Sequence, residues 1–400
     1  MQVSEGGENM LSEEMREFIQ DHEEEALELL KELAQIPAPS NQEEKRAKFC
    51  RDCLERQGAQ GVYMDEAFNV IYPVDIHQAE EIDVYMAHLD VVFPDTEALP
   101  LTECDGKIYC PGIGDDTACV VCLLMAAKYI AGKIRNGEWE KEQKGFGEQQ
   151  KKNGAAGMLL VCNSGEEGLG NLKGVKAICR GYGERIRNFC TFDSELDKIV
   201  NRAVGSKRYR IRIATEGGHS FGDFGKDNAI EKMAGIIEKL YRVQVPEGGK
   251  TTYNVGLISG GTGVNVIAQN AEILYEFRSD TSEHLQMMEQ YFEKTIREEK
   301  DKGLDIEYEV IGLRPCGKGV DAARQERLTE KAMKAVKNVI GKNPEQNCGS
   351  TDCNIPLSMG IPSVCVGCYY GHGAHTREEY IEKDSLILGI RVAFEMIFGE

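Results

Sequence analysis

Ala26, Leu27, Leu29, Leu30, Leu33 and Ala34 recur at helical spacing along residues 23–36, and the pattern stops at Ile36-Pro37-Ala38-Pro39. An amphipathic helix ended by proline is predicted there. A second helix is expected over 42–57, then short strands near Val62 and Val70. Residues 84–87 read as a strand that runs into His88-Leu89-Asp90, and 106–114 as a glycine-punctuated loop leading to Asp115-Asp116. From 118 to 127 the chain is apolar without a break and continues so to Ile134, with Ala118, Cys122, Met125 and Tyr129 on one helical face. That predicts a buried helix whose N-terminus, with its free N–H groups, lies at the aspartate pair. Residues 137–154 are charged and glycine-rich, as in a solvated insertion. Residues 158–162 form an apolar run that stops at Ser164-Gly165-Glu166-Glu167-Gly168, and 188–192 form another that ends on Asp193. Both predict buried strands, and the glycines let the chain turn sharply after the first.

The pattern changes near Val204. A strand at 207–214, a helix at 227–243, strands at 251–258 and 271–279, a helix at 282–300 and a strand at 304–311 follow in the order β-α-β-β-α-β, which is that of a ferredoxin-like sandwich. After Arg314-Pro315 the α/β character returns, with helices at 324–340 and 351–359, a strand at 363–366, a loop carrying His372 and His375, and a last helix at 383–398. The expected fold is α/β: a doubly wound catalytic domain from 1–205 and 314–400, with an inserted α+β lid or dimerisation domain at 206–313.

Composition narrows the function. A formal charge of −20 repels phosphate, which excludes nucleic acid and anionic membranes as natural partners. No uninterrupted apolar run reaches the roughly 20 residues of a membrane span, and the N-terminus lacks a basic start followed by an apolar segment. The expected location is the cytoplasm. Fourteen cysteines are scattered through apolar segments, as reduced core residues are. The Cys50/Cys53, Cys119/Cys122 and Cys365/Cys368 pairs have C-x-x-C spacing, but the first two fall in helical patterns where that spacing repeats one face.

An acidic pair in a turn is usually solvated surface, so Glu166 and Glu167 gain meaning only from their company. His88, Asp115, Glu167, Asp193 and His375 each follow a short apolar strand or a glycine loop, and one doubly wound sheet can bring them to a single edge. Two imidazoles and three carboxylates suit a pair of zinc ions, or cobalt or manganese, able to acidify a water and polarise a carbonyl. A proton acceptor is then needed, and Glu166, beside a ligand, is the expected general base. Asp90, two residues after His88, is placed to accept the imidazole's other N–H and set its tautomer.

These residues, in this order, resemble the dizinc peptidase and aminoacylase family that includes peptidase T, carboxypeptidase G and succinyl-diaminopimelate desuccinylase. The resemblance spans nearly the whole chain. It rests on Ala87-His88-Leu89-Asp90, Gly112-Ile113-Gly114-Asp115-Asp116, Ser164-Gly165-Glu166-Glu167-Gly168, Phe192-Asp193, Gly217-Gly218-His219-Ser220 followed by Asn228-Ala229-Ile230, Gly260-Gly261-Thr262-Gly263-Val264-Asn265, and His375. It implies His88 and Glu167 on separate metals, Asp115 bridging, Asp193 beside His88, His375 beside Glu167, and a cis Asp115-Asp116 peptide bond. In dimeric relatives the histidine matching His219 crosses to the partner's active site and helps bind an oxyanion. Asn265 and Arg278 match substrate-binding positions, the latter suited to a carboxylate. Thr117 departs from the pattern, since many relatives have lysine there.

The resemblance implies a homodimer formed through the inserted domain. It also implies an exopeptidase of the peptidase T kind acting on small peptides. The same motifs allow an amidohydrolase acting on N-acyl amino acids, and the fold also allows a catalytically silent binding or scaffold protein.

Overall fold

The computed structural model of the chain describes residues 11–141 and 156–399. The insertion expected at 137–154 lies outside the described residues from 142 onward, as does the chain's start. Two compact units are formed, one from 1–202 with 319–400 and the other from 203–318.

The first unit is built on an eight-stranded sheet, in the order Tyr63–Met64, Val70–Val74, Gly157–Asn163, Ile82–His88, Ile186–Phe192, Ser363–Val366, Lys198–Ala203, Glu345–Gly349. The strands from Gly157–Asn163 to Ser363–Val366 in that order run parallel, and antiparallel strands flank them. Every residue of Ile82–His88 and Gly157–Asn163 is buried, which is why residues 84–87 and 158–162 read as apolar runs rather than alternating ones, while Asp83 at the start of the first strand is held by Arg187. Helices Glu23–Ala34, Glu44–Arg56, Cys119–Arg135 and Ser385–Phe398 share one core with alternate strand residues such as Tyr85, Ala87, Leu160, Cys162 and Phe192. The stretch Ile113–Arg135 contains no uninterrupted apolar run of about 20 residues, yet by length and mean composition it is apolar enough to cross a bilayer. Burial of 83% of its most apolar window accounts for that composition, since it is a central core helix.

The expected β-α-β-β-α-β order is found in the second unit. Its antiparallel sheet has the order Thr251–Gly260, Asn270–Ser279, Gly205–Ala214, Asp305–Arg314. Helices Ala229–Leu240 and Ser282–Lys300 pack on it around Tyr209, Ile211, Phe277 and Phe292. Asn228 and Thr281 cap these helices, accepting from the N–H of Ile230 and His284.

The pattern did not reveal the helix Glu13–Asp21, the outer strands Lys198–Ala203 and Glu345–Gly349, or a small sheet joining Thr102–Cys104, Lys107–Tyr109, Gly371–His372 and Tyr380–Glu382. In the small sheet, strands of two or three residues carry too little alternation to show a period.

Candidate metal centre

Where the parallel strands end, their C-terminal edge collects the charged residues. His88 is the last residue of its strand and pairs in register with Asn163, so the turn carrying Glu166 and Glu167 starts level with it. Asp193 follows the strand Ile186–Phe192 directly. Ser194 after it has φ 124°, and His375 has φ 66°, both in the region that L-residues seldom adopt. Asp115 sits at the non-helical kink within Ile113–Ala118, just before the regular helix Cys119–Arg135, and its peptide bond to Asp116 is cis, as the resemblance implies.

Asp115 lies between the two imidazoles. Its Oδ1 is 3.1 Å from His88 Nε2, and its Oδ2 is 3.1 Å from His375 Nε2. His375 Nε2 is also 3.0 Å from Glu167 Oε1. Two three-residue groups with candidate ligand atoms within 4.8 Å of one another therefore share Asp115: His88, Asp115 and Asp193, and Asp115, Glu167 and His375. A third group joins His88, Glu166 and Glu167. Ligand atoms at about 2.0–2.2 Å from a tetrahedral zinc stand roughly 3.3 Å apart, close to the separations found here. The residues present thus fit a pair of divalent cations in donor type, number and spacing.

The charge balance points the same way. Burial disfavours the charged form of His88, yet nearby Asp116, Asp115 and Asp90 raise its pKa well above the ordinary value. Hydrogen bonds to Asp115 and Glu167 raise His375 to about 11. Burial pushes Glu167 up to about 7 and Asp193 well above the usual carboxylate range, the latter aided by Asp115. Carboxylates crowded into a low dielectric favour any available positive charge.

The Asp90 side chain does something other than what its spacing suggested. His88 Nδ1 is 3.0 Å from the Asp90 backbone carbonyl, while the Asp90 carboxylate is 3.6 Å away. The tautomer is therefore set by the main chain. The carboxylate turns instead to the acidic turn, accepting from the N–H of Glu166 and of Glu167 at 2.9 Å each and from Ser40 Oγ at 2.7 Å.

Four further residues support the edge, of which Ser40, Arg46 and Glu379 did not stand out in the sequence. Ser40 is one. Arg46, fully buried, donates to the carbonyls of Ala34, Ile36 and Leu89 and to Thr117 Oγ1, so Thr117 joins a network behind the site. Asp352, which follows Ser350-Thr351 in a segment that the family resemblance places against substrate, is buried, accepts from Asn163 at 2.7 Å, and is raised to about 7 by burial and by Glu166. Glu379 accepts from the N–H of Gly112, Gly114 and Asp115.

His219, Asn265 and Arg278 belong to the inserted unit. The first two are neighbours there: Gly218–His219 pairs with Val266–Ile267, and Ser220 N donates to the Asn265 carbonyl. His219 is exposed, and its Nδ1 accepts from the N–H of Phe221 and Gly222. Arg278 already holds a carboxylate of this chain, Glu276, at 3.0 and 3.2 Å.

Residues 201–304 match the family profile described as the peptidase dimerisation domain. Among relatives, the uncharacterized protein YqjE of Bacillus subtilis is 25% identical over 92% of this chain and 95% of its own length. Acetylornithine deacetylase of Myxococcus xanthus is 24% identical over 73% of this chain and 72% of its own. Among solved structures, the aminopeptidase PepT of Bacillus cereus superposes with a TM-score of 0.67 at 22% identity, covering 94% of this chain and 98% of that one. A dinuclear metal-binding peptidase of the M20 family from Bacillus subtilis gives 0.59 at 14% identity, over 95% and 98%. The resemblance read from the sequence therefore holds at the level of fold: an α/β domain interrupted in sequence by a domain that matches the peptidase dimerisation profile. M20 family members are metal-dependent hydrolases acting on amide bonds.

Proposed function

We propose that this chain, which has the fold and the dimerisation domain of the M20 peptidases, hydrolyses an amide bond in small peptides as an exopeptidase of the peptidase T kind. The observation that carries this reading is the sharing of Asp115 by two ligand groups, while Glu166 falls only in the third group, beside His88 and Glu167. Zinc, cobalt or manganese ions held by His88, Asp115 and Asp193, and by Asp115, Glu167 and His375, would supply carbonyl polarisation and a more acidic water. Glu166 is the residue that would accept the proton of the attacking water and return it to the leaving nitrogen. The Asp90 carboxylate holds the Glu166-Glu167 turn by its two N–H groups and so orients both side chains. The likeness to an acetylornithine deacetylase supports a second reading, an N-acyl amino acid amidohydrolase with the same proton transfers. A silent binding protein on this fold is the reading of another class.

Dimerisation belongs to the proposal too. In the inserted unit, Thr251–Gly260 is an edge strand with Leu257 and Ile258 exposed, and Ile230 of the helix Ala229–Leu240 is also exposed. An unpaired edge with apolar neighbours suits pairing with a second copy. All fourteen cysteines are free, which fits a reducing compartment such as the cytoplasm.

The test compares Glu166→Gln with Glu167→Gln, using zinc- or cobalt-loaded protein on a panel of di- and tripeptides and N-acyl amino acids. Glu166→Gln should keep its metals while kcat falls by about 10² to 10⁴. Glu167→Gln should weaken or lose one metal and recover partly when metal is in excess. Wild-type protein inactive on the whole panel, or an active Glu166→Gln, overturns the proposal.

A further inference from the structure

Glu379 is a carboxylate with 1% exposure and no place in the chemistry described so far. Its Oε2 accepts from Gly112 N at 2.7 Å, and its Oε1 accepts from Gly114 N and Asp115 N at 2.9 Å each. Three N–H groups from four consecutive residues thus converge on one buried carboxyl group. The loop is shaped for that approach. Gly112 has φ 76°, and a Cβ there would come within 2.3 Å of Val91 Cγ1. At Gly114 a Cβ would meet the Tyr369 ring at 2.6 Å and Glu379 Oε1 at 3.1 Å.

The same segment also carries His375, four residues earlier. Its path is anchored on both sides of Glu379. The following strand Tyr380–Glu382 pairs with Lys107–Tyr109, just ahead of the glycine loop, and Cys110 N donates to the Glu379 carbonyl at 3.1 Å. Before it, Arg377 grips Asp95 through two nitrogens at 3.0 and 2.6 Å. One short stretch of chain therefore presents an imidazole to the Asp115 side chain and a carboxylate to the Asp115 main chain. Held at both ends, the Asp115 carboxylate has little freedom except to lie between His88 and His375.

We propose that Glu379 is a positioning residue of the metal centre, acting through the Gly112–Asp115 backbone to hold the Asp115 carboxylate in its bridging place. This rests on Asp115 being shared by two cations. Glu379 touches no candidate ligand atom, so its effect is felt through the geometry of Asp115. Supporting partners of this kind change metal affinity or activity by about 10- to 100-fold when removed.

The experiment is an equilibrium titration of metal-free wild type, Glu379→Gln and Glu379→Asp with zinc and with cobalt, alongside melting curves of the metal-free proteins. Glu379→Gln sets an amide NH₂ against at least one loop N–H. It should bind at least one of the two cations about 10- to 100-fold more weakly and shift the cobalt absorption spectrum. Glu379→Asp keeps the charge with a shorter reach and should recover part of the affinity; it also serves as the test protein should Glu379→Gln fail to fold. A purely architectural carboxylate would lower the melting temperature and leave both dissociation constants and the spectrum unchanged. That outcome overturns the proposal. Wild type that takes up only one cation, or none, instead overturns the two-cation reading on which the proposal stands.

Discussion

Replacing Asp90 by asparagine separates two ways in which this residue can serve the site. If its side chain acted through His88, the variant would lose metal and the metal-free protein would melt as before. The observed contacts predict otherwise. The buried carboxylate accepts three hydrogen bonds, from Glu166 N and Glu167 N at 2.9 Å and Ser40 Oγ at 2.7 Å, with Oδ1 serving Glu166 and Oδ2 serving the other two. Asparagine offers only one acceptor oxygen. Its best orientation keeps the oxygen towards Glu167 and Ser40 and turns the NH₂ towards the Glu166 N–H, leaving a buried donor unpaired at a cost of about 1–3 kcal/mol. The remaining two bonds lose their charge assistance, about 1 kcal/mol each. The sum is roughly 3–5 kcal/mol, or a melting temperature lowered by about 5–15 °C for a domain of this size.

The assay is thermal melting of the metal-free protein for wild type, Asp90→Asn, Ser40→Ala and the double variant. Ser40 and Asp90 should be coupled by more than the roughly 0.5 kcal/mol seen between independent sites. Unchanged melting of metal-free Asp90→Asn together with lost metal would refute the reasoning, and so would strict additivity with Ser40→Ala.

Two other expectations follow from the charges and from the inserted unit. Because His375 is held at about 11 by Asp115 and Glu167, it carries a proton at pH 8 that a cation must displace. Calorimetry in buffers of different ionisation enthalpy should show at least one proton released per chain on loading. Affinity should then rise about tenfold per pH unit per proton released, and binding that takes up or exchanges no proton would contradict this. Light scattering should give twice the 44.5 kDa chain mass. His219→Ala should lower kcat by roughly 10² to 10³ with metal content intact, as loss of an oxyanion donor does; a fully active monomer would refute the dimer.

Much of the site could be read from the sequence, for a specific reason. The buried C-terminal halves of these strands are mainly apolar, so the charged residue that ends each one is conspicuous; His88, the Glu166-Glu167 turn and Asp193 all stand out in this way. The roles decided by distant contacts were hidden. Whether the Asp90 carboxylate turns to His88, two residues away, or to the turn 76 residues later depends on how two strands align side by side. Asn163 meets Asp352 across 189 positions, and Asp115 meets Glu379 across 264. Glu379 is one acidic residue among 67 and lies next to another, so no spacing rule selects it.

The supporting groups share a logic that explains why the edge tolerates so much negative charge. Asp90 and Glu379 are both buried carboxyl groups, and among the described residues neither has a lysine or arginine as its hydrogen-bond partner; main-chain N–H groups from turns, joined by Ser40 Oγ at Asp90, solvate them. A carboxylate so held constrains the backbone of the turn it grips, which an ion pair between long side chains would do far less well. Arg46 is the converse, a buried cation satisfied largely by carbonyls, with burial lowering its pKa to about 10 and Asp90 and Asp116 among the charges opposing that fall. Charge in the supporting layer is thus balanced mostly by peptide dipoles, which leaves the carboxylates of Asp115, Glu167 and Asp193 to be balanced by the imidazoles and by whatever cations the edge takes up. A cation binding there gains from preorganised ligands whose positions were fixed during folding. Loosening any one of the backbone grips should therefore weaken cation binding more than the loss of a single hydrogen bond on the surface would suggest.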